Sequence, residues 1–395
     1  MQNDKNLYVR KDLPESLKKT GFILLAIGLV LGLVHFMIDS QTAWYGYILA
    51  YVFLITVVVG ALFLFALEYV AGADWSVPLR RVTEFFASAV PLLIILVIPL
   101  LLNIKNIFPW ADGSLAGDKS MQSKSPYLNT TFFIIRSVIC IGLWSLFNFM
   151  MSRNSIKQDE TGDQSLTKKN IILSAIFIPV FAITLTMSAV DWVMSLSPLW
   201  YSTIYGIYFF AGSVLAALSA VTITVILLRE KGYMHPRMND EHYFSLGALL
   251  FAFINFWAYI AFSQFMLIWY ANLPEETNWF IARYQGGWMF VSFLLIIVHF
   301  VVPYATLLSQ PAKMDPKKLK FISIWILGAH LIDLVWLIMP NLKNGSYSIF
   351  SVVLQFSFTV AIVGLLILII YYKSKKINLV PIKDPKLEKG LNFKL

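Results

Sequence analysis

Ten stretches of the chain are almost entirely apolar, and the connections between them are mostly short and polar. A helix needs about 20 apolar residues to cross the hydrocarbon core of a bilayer. Each stretch is therefore predicted to be one transmembrane helix. The ten predicted helices cover approximately 21–38, 46–69, 83–104, 131–151, 170–194, 202–228, 242–270, 286–308, 319–339 and 349–372.

The polar ends of the chain frame one membrane domain. Residues 1–20 are predicted to be a cytoplasmic N-terminal segment, 21–372 the integral membrane domain, and 373–395 a basic cytoplasmic tail. The first apolar stretch is followed by Asp-Ser-Gln, without the small-residue pattern of a signal peptidase site. We therefore interpret it as a retained helix and not as a cleaved signal peptide.

Composition supports an all-α membrane protein. The chain is 58% hydrophobic and only 13% charged, which leaves too little polar surface for a water-soluble protein of 395 residues. Its single cysteine, Cys140, excludes an intramolecular disulfide and an iron–sulfur cluster ligated by this chain alone. No CxxCH sequence is present, so a covalent c-type haem is excluded as well.

The basic residues predict the orientation. Of the 31 Lys and Arg residues, 25 lie on the side of the N-terminus if ten helices are counted. An error of one helix in the middle of the chain would move all later connections to the opposite side and abolish this asymmetry. By the positive-inside rule both termini are predicted to be cytoplasmic. The net charge of +9 is thus explained by membrane orientation, and we predict no nucleic-acid partner.

An aspartate lies near the outer end of the first, fifth and ninth helices: Asp39, Asp191 and Asp333. Four helices separate each from the next, so corresponding helices point the same way. The spacing predicts two parallel four-helix bundles related by an axis along the membrane normal. Helices two to five (about 46–194) would form one bundle and helices six to nine (about 202–339) the other, flanked by helices one and ten.

Polar side chains recur every four residues along the seventh helix, at Asn255, Tyr259 and Ser263, with Gln264 beside them. This spacing places the three on one helical face. Polar atoms in hydrocarbon need partners, so the face is expected to look inward. It would serve either as hydrogen-bonding contact between helices or as the lining of a hydrated route for protons or a quinol headgroup.

The fifth and ninth helices carry the main candidates for proton transfer. Thr184, Ser188 and Asp191 form a polar stripe that leads outward, and His330 and Asp333 are one turn apart. An imidazole beside a carboxylate is suited to relaying protons near neutral pH. The alternative is that Asp333 only orients His330 or caps the helix end.

Glu68 and His299 are weaker candidates for an inner entry to the same path. Glu68 would otherwise extend towards the arginines at 80 and 81. Arg136 lies within the fourth helix and needs a carboxylate or several carbonyls at that depth, with Asp191 as a candidate partner. Such a pair would hold two helices together at least as readily as it would gate a path.

Metal and haem sites are not indicated. A b-type haem would need two facing histidines from His35, His299 and His330, which the pattern places at different depths. His235 and His242 belong to a cytoplasmic loop or its margin. No Walker loop, GxSxG or zinc motif is present, so ATP-driven transport and hydrolysis are disfavoured.

Two stretches resemble a known family. Residues 188–212 (SAVDWVMSLSPLWYSTIYGIYFFAG) and 250–276 (LFAFINFWAYIAFSQFMLIWYANLPEE) are similar to the ActF-type subunits of bacterial alternative complex III. These ten-helix chains belong with the NrfD and polysulfide-reductase-type membrane subunits. The likeness in helix count and order covers nearly the whole chain.

The resemblance implies a subunit of a quinol:cytochrome c, or cytochrome oxidase, oxidoreductase in the bacterial inner membrane. It implies structural support and a proton path, with Asp191, His330 and Asp333 towards the outside and Glu68 and His299 towards the inside. Menaquinol, haem c and iron–sulfur clusters would be held by partners and none by this chain. The implied partners are a homologous quinone-binding NrfD-like subunit, a multihaem cytochrome c, an iron–sulfur subunit, further subunits of the complex, a cytochrome oxidase and the lipid bilayer.

Two other functions remain open from the residues. An independent secondary transporter could be built from the parallel repeats. A quinone-binding subunit with its own quinol site would use Gln264, Tyr259 or His330 at the headgroup.

Overall fold

A computed structural model describes residues 12–342 and 349–394, without the side chains of 349–351. Residues 1–11 of the predicted N-terminal segment and residue 395 of the predicted tail lie outside this part. The described chain is all-helical, and ten of its helices are long and apolar enough to cross a membrane. The predicted fold class, an all-α multi-pass membrane protein, is confirmed. The ten helices are α1 Glu15–Ile38, α2 Ser40–Val70, α3 Arg80–Leu102, α4 Thr130–Thr161, α5 Ser165–Leu196, α6 Tyr205–Glu230, α7 Asp240–Ala271, α8 Trp288–Leu307, α9 Pro316–Asn341 and α10 Val352–Ser374.

The start of α1 and the end of α10 lie side by side. The Tyr371 hydroxyl donates a hydrogen bond of 2.5 Å to the Glu15 carboxylate, and Lys375 lies 3.7 Å from the same carboxylate. We call this side of the molecule the inner side and the opposite one the outer side. Five shorter α-helices lie between or beyond the spans in the described residues: Ile104–Ile107, Lys119–Lys124, Pro274–Tyr284, Gln310–Met314 and Leu387–Leu391.

Helix α4 is longer than its apolar stretch. Its last ten residues are mostly polar, yet they stay helical because they pack against α5 and against the start of α3. The Gln158 amide donates to the Thr167 hydroxyl at 2.6 Å, and Asn154 donates to Asn170 at 2.9 Å. The helix ends where Gly162 adopts a left-handed conformation with φ of 74°. Hydropathy alone misses this extension because the extension is not apolar.

Helices α2 and α6 occupy the middle of the molecule. The most apolar 18 residues of α2 are entirely buried, as are 83% of those in α6. The two backbones approach closely at Gly60, where a Cβ atom would lie 2.4 Å from the Ser213 carbonyl oxygen. Small residues permit such contacts between membrane helices. The grouping of helices two to five and six to nine into parallel bundles stays a prediction.

The polar face predicted on α7 does not look inward. Tyr259 is 65% exposed, Ser263 is half-buried, and Asn255 uses its amide to donate to the Phe251 carbonyl of its own helix. The buried face instead carries Trp257 and Gln264. These two are seven residues apart and therefore share a face that is rotated away from the polar row. The expectation that Asn255, Tyr259 and Ser263 line the interior is wrong for this chain.

The tail after α10 folds back across the inner side. Asp384 forms a buried ion pair with Arg80 at 2.7 Å, and Lys386 and Lys389 lie 3.0 and 2.9 Å from Asp74. Burial raises the pKa of Asp74, but hydrogen bonds from Lys389 and Lys386 outweigh it and hold this pKa below its ordinary value. The tail is thus fastened by charge to the connection between α2 and α3.

Candidate functional site

His330 lies at the contact of α9, α2 and α6, and it is 1% exposed. Its Nε2 atom is 3.0 Å from the Thr56 hydroxyl on α2. On the α6 side, a Cβ atom at Gly212 would come within 3.3 Å of the His330 Nδ1 atom. The glycine therefore lets α6 approach the imidazole closely, and no partner for Nδ1 is found among the described residues.

One turn further along α9, Asp333 is held from two other helices. One carboxylate oxygen accepts a short hydrogen bond from the Tyr208 hydroxyl on α6, and the other accepts from the Trp257 indole on α7 at 3.3 Å. Asp333 is 1% exposed. Within the described part of the chain, no Lys or Arg pairs with it.

His299 completes the cluster from α8. It lies in a π-helical turn, Ile296–Val301, and its ring stacks on Trp257 with centroids 3.9 Å apart. Such turns widen a helix locally and are frequent at functional sites. Both ring nitrogens of His299 are buried, and neither has a partner among the described residues.

The three side chains form one group, which we call the His299–His330–Asp333 cluster. A ligand atom from each lies within 4.8 Å of one from the others. Three ring nitrogens of the cluster lack partners in the described chain, and an unsatisfied buried group costs about 1–3 kcal/mol. Buried polar groups of this kind are normally satisfied by ordered water or by an ion.

The donors of the cluster are of a type that binds first-row transition metals. However, both oxygens of Asp333 already accept hydrogen bonds, and Nε2 of His330 is engaged by Thr56. The arrangement therefore suits bridging water better than a metal ion. It also corrects one expectation: His299 and His330 lie at the same depth, with ring centroids 6.4 Å apart. A haem between them is disfavoured instead by the direct packing of Trp257 on His299 and of Gly212 against His330.

Arg136 and Asp191 lie apart from this cluster and bind each other. The guanidinium donates twice to the carboxylate, at 2.8 and 2.9 Å, and once more to the Tyr127 carbonyl at 2.9 Å. The predicted partnership of Arg136 with Asp191 is confirmed. The pair joins α4 to α5, where Thr184 accepts from the Trp144 indole at 2.8 Å and Ser188 is also buried.

Glu68 lies well inward of the cluster. It is twelve residues beyond Thr56 on α2, which corresponds to about 18 Å along a helix. Its carboxylate is 3.2 Å from Arg80 and accepts from the Thr83 hydroxyl at 3.0 Å. The group lines a cavity of about 130 Å³ that is otherwise mostly apolar. Of the six predicted path residues, the structure thus brings His299, His330 and Asp333 into one cluster, pairs Arg136 with Asp191 elsewhere and leaves Glu68 apart from both.

Hydroxyl groups lie on α6 between these two depths. Ser219 and Thr222 are seven and ten residues beyond Gly212, about 10 and 15 Å further inward. Both are fully buried, and neither hydroxyl has a partner among the described residues. These two hydroxyl groups therefore lie between the cluster and the inner side.

On the outer side, tyrosines lead away from Asp333. The ring of Tyr208 stacks on that of Tyr205 with centroids 6.4 Å apart, and Tyr205 contacts Trp200 at 5.7 Å. Trp200 lines an outer cavity of about 540 Å³ together with Trp279 and Arg283. Asp333 is therefore connected towards the outer surface by aromatic side chains.

Arg283 is buried at the edge of the outer cavity. It donates to the carbonyls of Trp336 and Leu337 at 3.0 and 2.9 Å, at the end of α9, where a cation is favourable. Burial lowers the pKa of its guanidinium to about 9, so the group stays charged at neutral pH.

Sequence reasoning missed Thr56, Tyr208 and Trp257, which hold the cluster. Thr56 had a readable signal, because it is the only polar side chain between Tyr51 and Glu68 in an otherwise apolar helix. Tyr208 and Trp257 had none, because aromatic residues are common throughout these helices.

Comparison with models of protein families and with curated proteins gives no match for this chain.

Proposed function

We propose that this chain is a membrane subunit of a respiratory quinol:cytochrome c, or cytochrome oxidase, oxidoreductase, and that it moves protons through its interior without a redox cofactor of its own. The respiratory assignment is supported by the resemblance of residues 188–212 and 250–276 to ActF-type subunits. The role in proton transfer is supported by one observation above all. A carboxyl and two imidazoles with nitrogens unpartnered in the described chain lie within 4.8 Å of one another, deep inside a membrane domain, and one water molecule could bridge such distances.

The cluster has the chemistry that a relay needs. An imidazole can take a proton on one ring nitrogen and release one from the other, so it can pass protons without moving far. His330 has one nitrogen free for this exchange, and both nitrogens of His299 are free within the described chain. Asp333 exchanges protons through the Tyr208 hydroxyl on its outer flank.

The proposed path continues in both directions. Outward it runs from Asp333 past Tyr208 and Tyr205 to the outer cavity. Inward it follows Ser219 and Thr222 towards the level of Glu68. Arg136 and Asp191 support α4 and α5 and take no part, since each satisfies the other.

The test is proton uptake by the intact complex in sealed vesicles, measured during quinol oxidation. Asp333→Asn and His330→Ala are each expected to leave quinol oxidation largely intact and to lower the protons taken up per electron. Asp163→Asn is the matched control, since Asp163 is an exposed carboxylate in the connection between α4 and α5. Unchanged proton uptake in both cluster variants would refute the proposed relay.

The outer cavity favours a second candidate, a quinol-binding subunit. Its volume of about 540 Å³, the stacked Trp200 and Trp279 rings and the charged Arg283 suit an aromatic headgroup with oxygen atoms. A photoreactive quinone analogue would label residues of the Pro274–Tyr284 helix if this candidate is correct. Labelling confined to partner subunits would exclude it.

A further inference from the structure

A second large cavity lies at the inner side, away from the cluster. It has a volume of about 570 Å³ and opens between α3, α4 and α10. Helix α3 is interrupted beside this cavity: it stops at Ala87 and resumes at Leu92, and Ser88 and Pro91 of the interruption line the cavity. Proline lacks the N–H that would continue the helix.

The inner rim of this cavity is cationic. It is lined by Arg153 and Lys157 of α4 and by Lys373 of α10, with Glu160 as the one acidic side chain. Among the described residues, no carboxylate lies within ion-pair distance of any of these three cations. The rim thus carries an excess of positive charge at the end of the membrane-spanning helices.

The wall of the cavity changes character towards the bilayer centre. Ser152 and Asn148 follow the cations along the same face of α4, and the Ser145 hydroxyl beyond them is buried without a partner in the described chain. Next to these, Phe149 is 61% exposed, and Pro91 of α3 is exposed as well. Beyond Pro91, α3 exposes three isoleucines: Ile94, Ile95 and Ile98.

This order of charged, hydrogen-bonding and apolar surface matches the order of groups in one class of molecule. We propose that the cavity binds an anionic phospholipid of the inner leaflet. The phosphodiester lies at Arg153, Lys157 and Lys373, the glycerol and ester groups lie at Ser152, Asn148 and Ser145, and the acyl chains run outward along α3 and Phe149. Basic pockets between transmembrane helices on the cytoplasmic side are known to take anionic headgroups. An acidic segment of a partner protein would use the cations but not the apolar wall.

The test uses the full-length protein, purified in neutral detergent and freed of lipid, with binding followed by native mass spectrometry. Phosphatidylglycerol is compared with phosphatidylcholine of the same acyl chains and with inorganic phosphate. Each cation near the headgroup is expected to be worth about fivefold in affinity, so Arg153→Gln/Lys157→Gln weakens phosphatidylglycerol binding about 25-fold. Arg153→Lys/Lys157→Arg keeps the charge and is expected to bind normally.

The matched control is Lys168→Gln/Lys169→Gln, which removes two exposed cations from the same side of the membrane but outside the cavity. It is expected to bind phosphatidylglycerol as the unaltered chain does. Equal binding of phosphatidylglycerol and phosphatidylcholine, or equal losses in the control and the cavity variant, would overturn the proposal. Displacement of the lipid by millimolar inorganic phosphate would reassign the site to a free anion, and displacement by an acidic peptide from a partner would reassign it to a protein contact. Either displacement would also overturn the proposal of a phospholipid site.

Discussion

Replacing Asp191 by Asn separates a structural role of the Arg136–Asp191 pair from a role in proton transfer. The unaltered carboxylate receives two hydrogen bonds from the guanidinium, at 2.8 and 2.9 Å, and both side chains are almost completely buried. Asparagine keeps the size of the side chain and removes its charge. Arg136 then keeps the Tyr127 carbonyl, the faces of Tyr127 and Phe132, and one hydrogen bond to the asparagine amide oxygen, while the new NH2 group faces a guanidinium donor.

The expected loss follows from leaving a buried cation without its anion. Removing one partner of a buried ion pair destabilises proteins by about 3–5 kcal/mol. The cation–π contacts, at 3.8 and 4.4 Å from the ring centroids, retain about 1–2 kcal/mol. We therefore expect Asp191→Asn to lower the free energy of unfolding by about 3 kcal/mol, the lower end of the range. The double variant Arg136→Met/Asp191→Leu is expected to regain most of this loss, because it removes both charges.

The assay is equilibrium unfolding in mixed micelles of a mild detergent and dodecyl sulfate, followed by far-ultraviolet circular dichroism. The single and double variants are compared with the unaltered chain under identical conditions. The pair does not stabilise the contact of α4 with α5 as the geometry indicates if Asp191→Asn lowers the free energy of unfolding by less than about 1 kcal/mol, or if the double variant is no more stable than the single one. Normal stability with abolished proton uptake would instead place Asp191 in the path.

Two further changes test other parts of the structure. His299→Phe preserves the stacking on Trp257 and removes two buried nitrogens that have no partners among the described residues. Thermal stability should therefore be unchanged or higher, while proton uptake falls. Lower stability with normal uptake would contradict a functional role for His299. Asp74 has a lowered pKa in the folded chain. Its contribution to the stability of the folded tail is therefore complete above its unfolded pKa of about 3.9 and is lost as the pH falls through the folded pKa. Hydrogen–deuterium exchange protection of residues 386–393 should therefore decrease below about pH 4. Asp74→Asn should show lower protection already at neutral pH and a smaller change on acidification, because the Asp384–Arg80 pair still holds the tail. Identical pH profiles would refute the role of Asp74 in holding the tail.

The apolar pattern alone determined the number and order of the membrane helices. Ten stretches of sufficient length are visible without any structure, because the bilayer requires each span to be nearly free of charge. The partnership of Arg136 with Asp191 was also predictable, since a cation at that depth needs an anion from a neighbouring helix. The helical extension of residues 152–161 was not, because these mostly polar residues are held by contacts with α5 and with Arg81 and Glu84 of α3.

Only the tertiary structure decided which polar residues meet. Helical spacing fixes which side chains share a face, but not which face turns inward, and so Asn255, Tyr259 and Ser263 were assigned to the interior although Tyr259 is mostly exposed. His299 and His330 are on different helices, and their common depth depends on how α8 slides and turns against α9. Rotation and sliding of packed helices are set by contacts between side chains far apart in sequence, which no local pattern records.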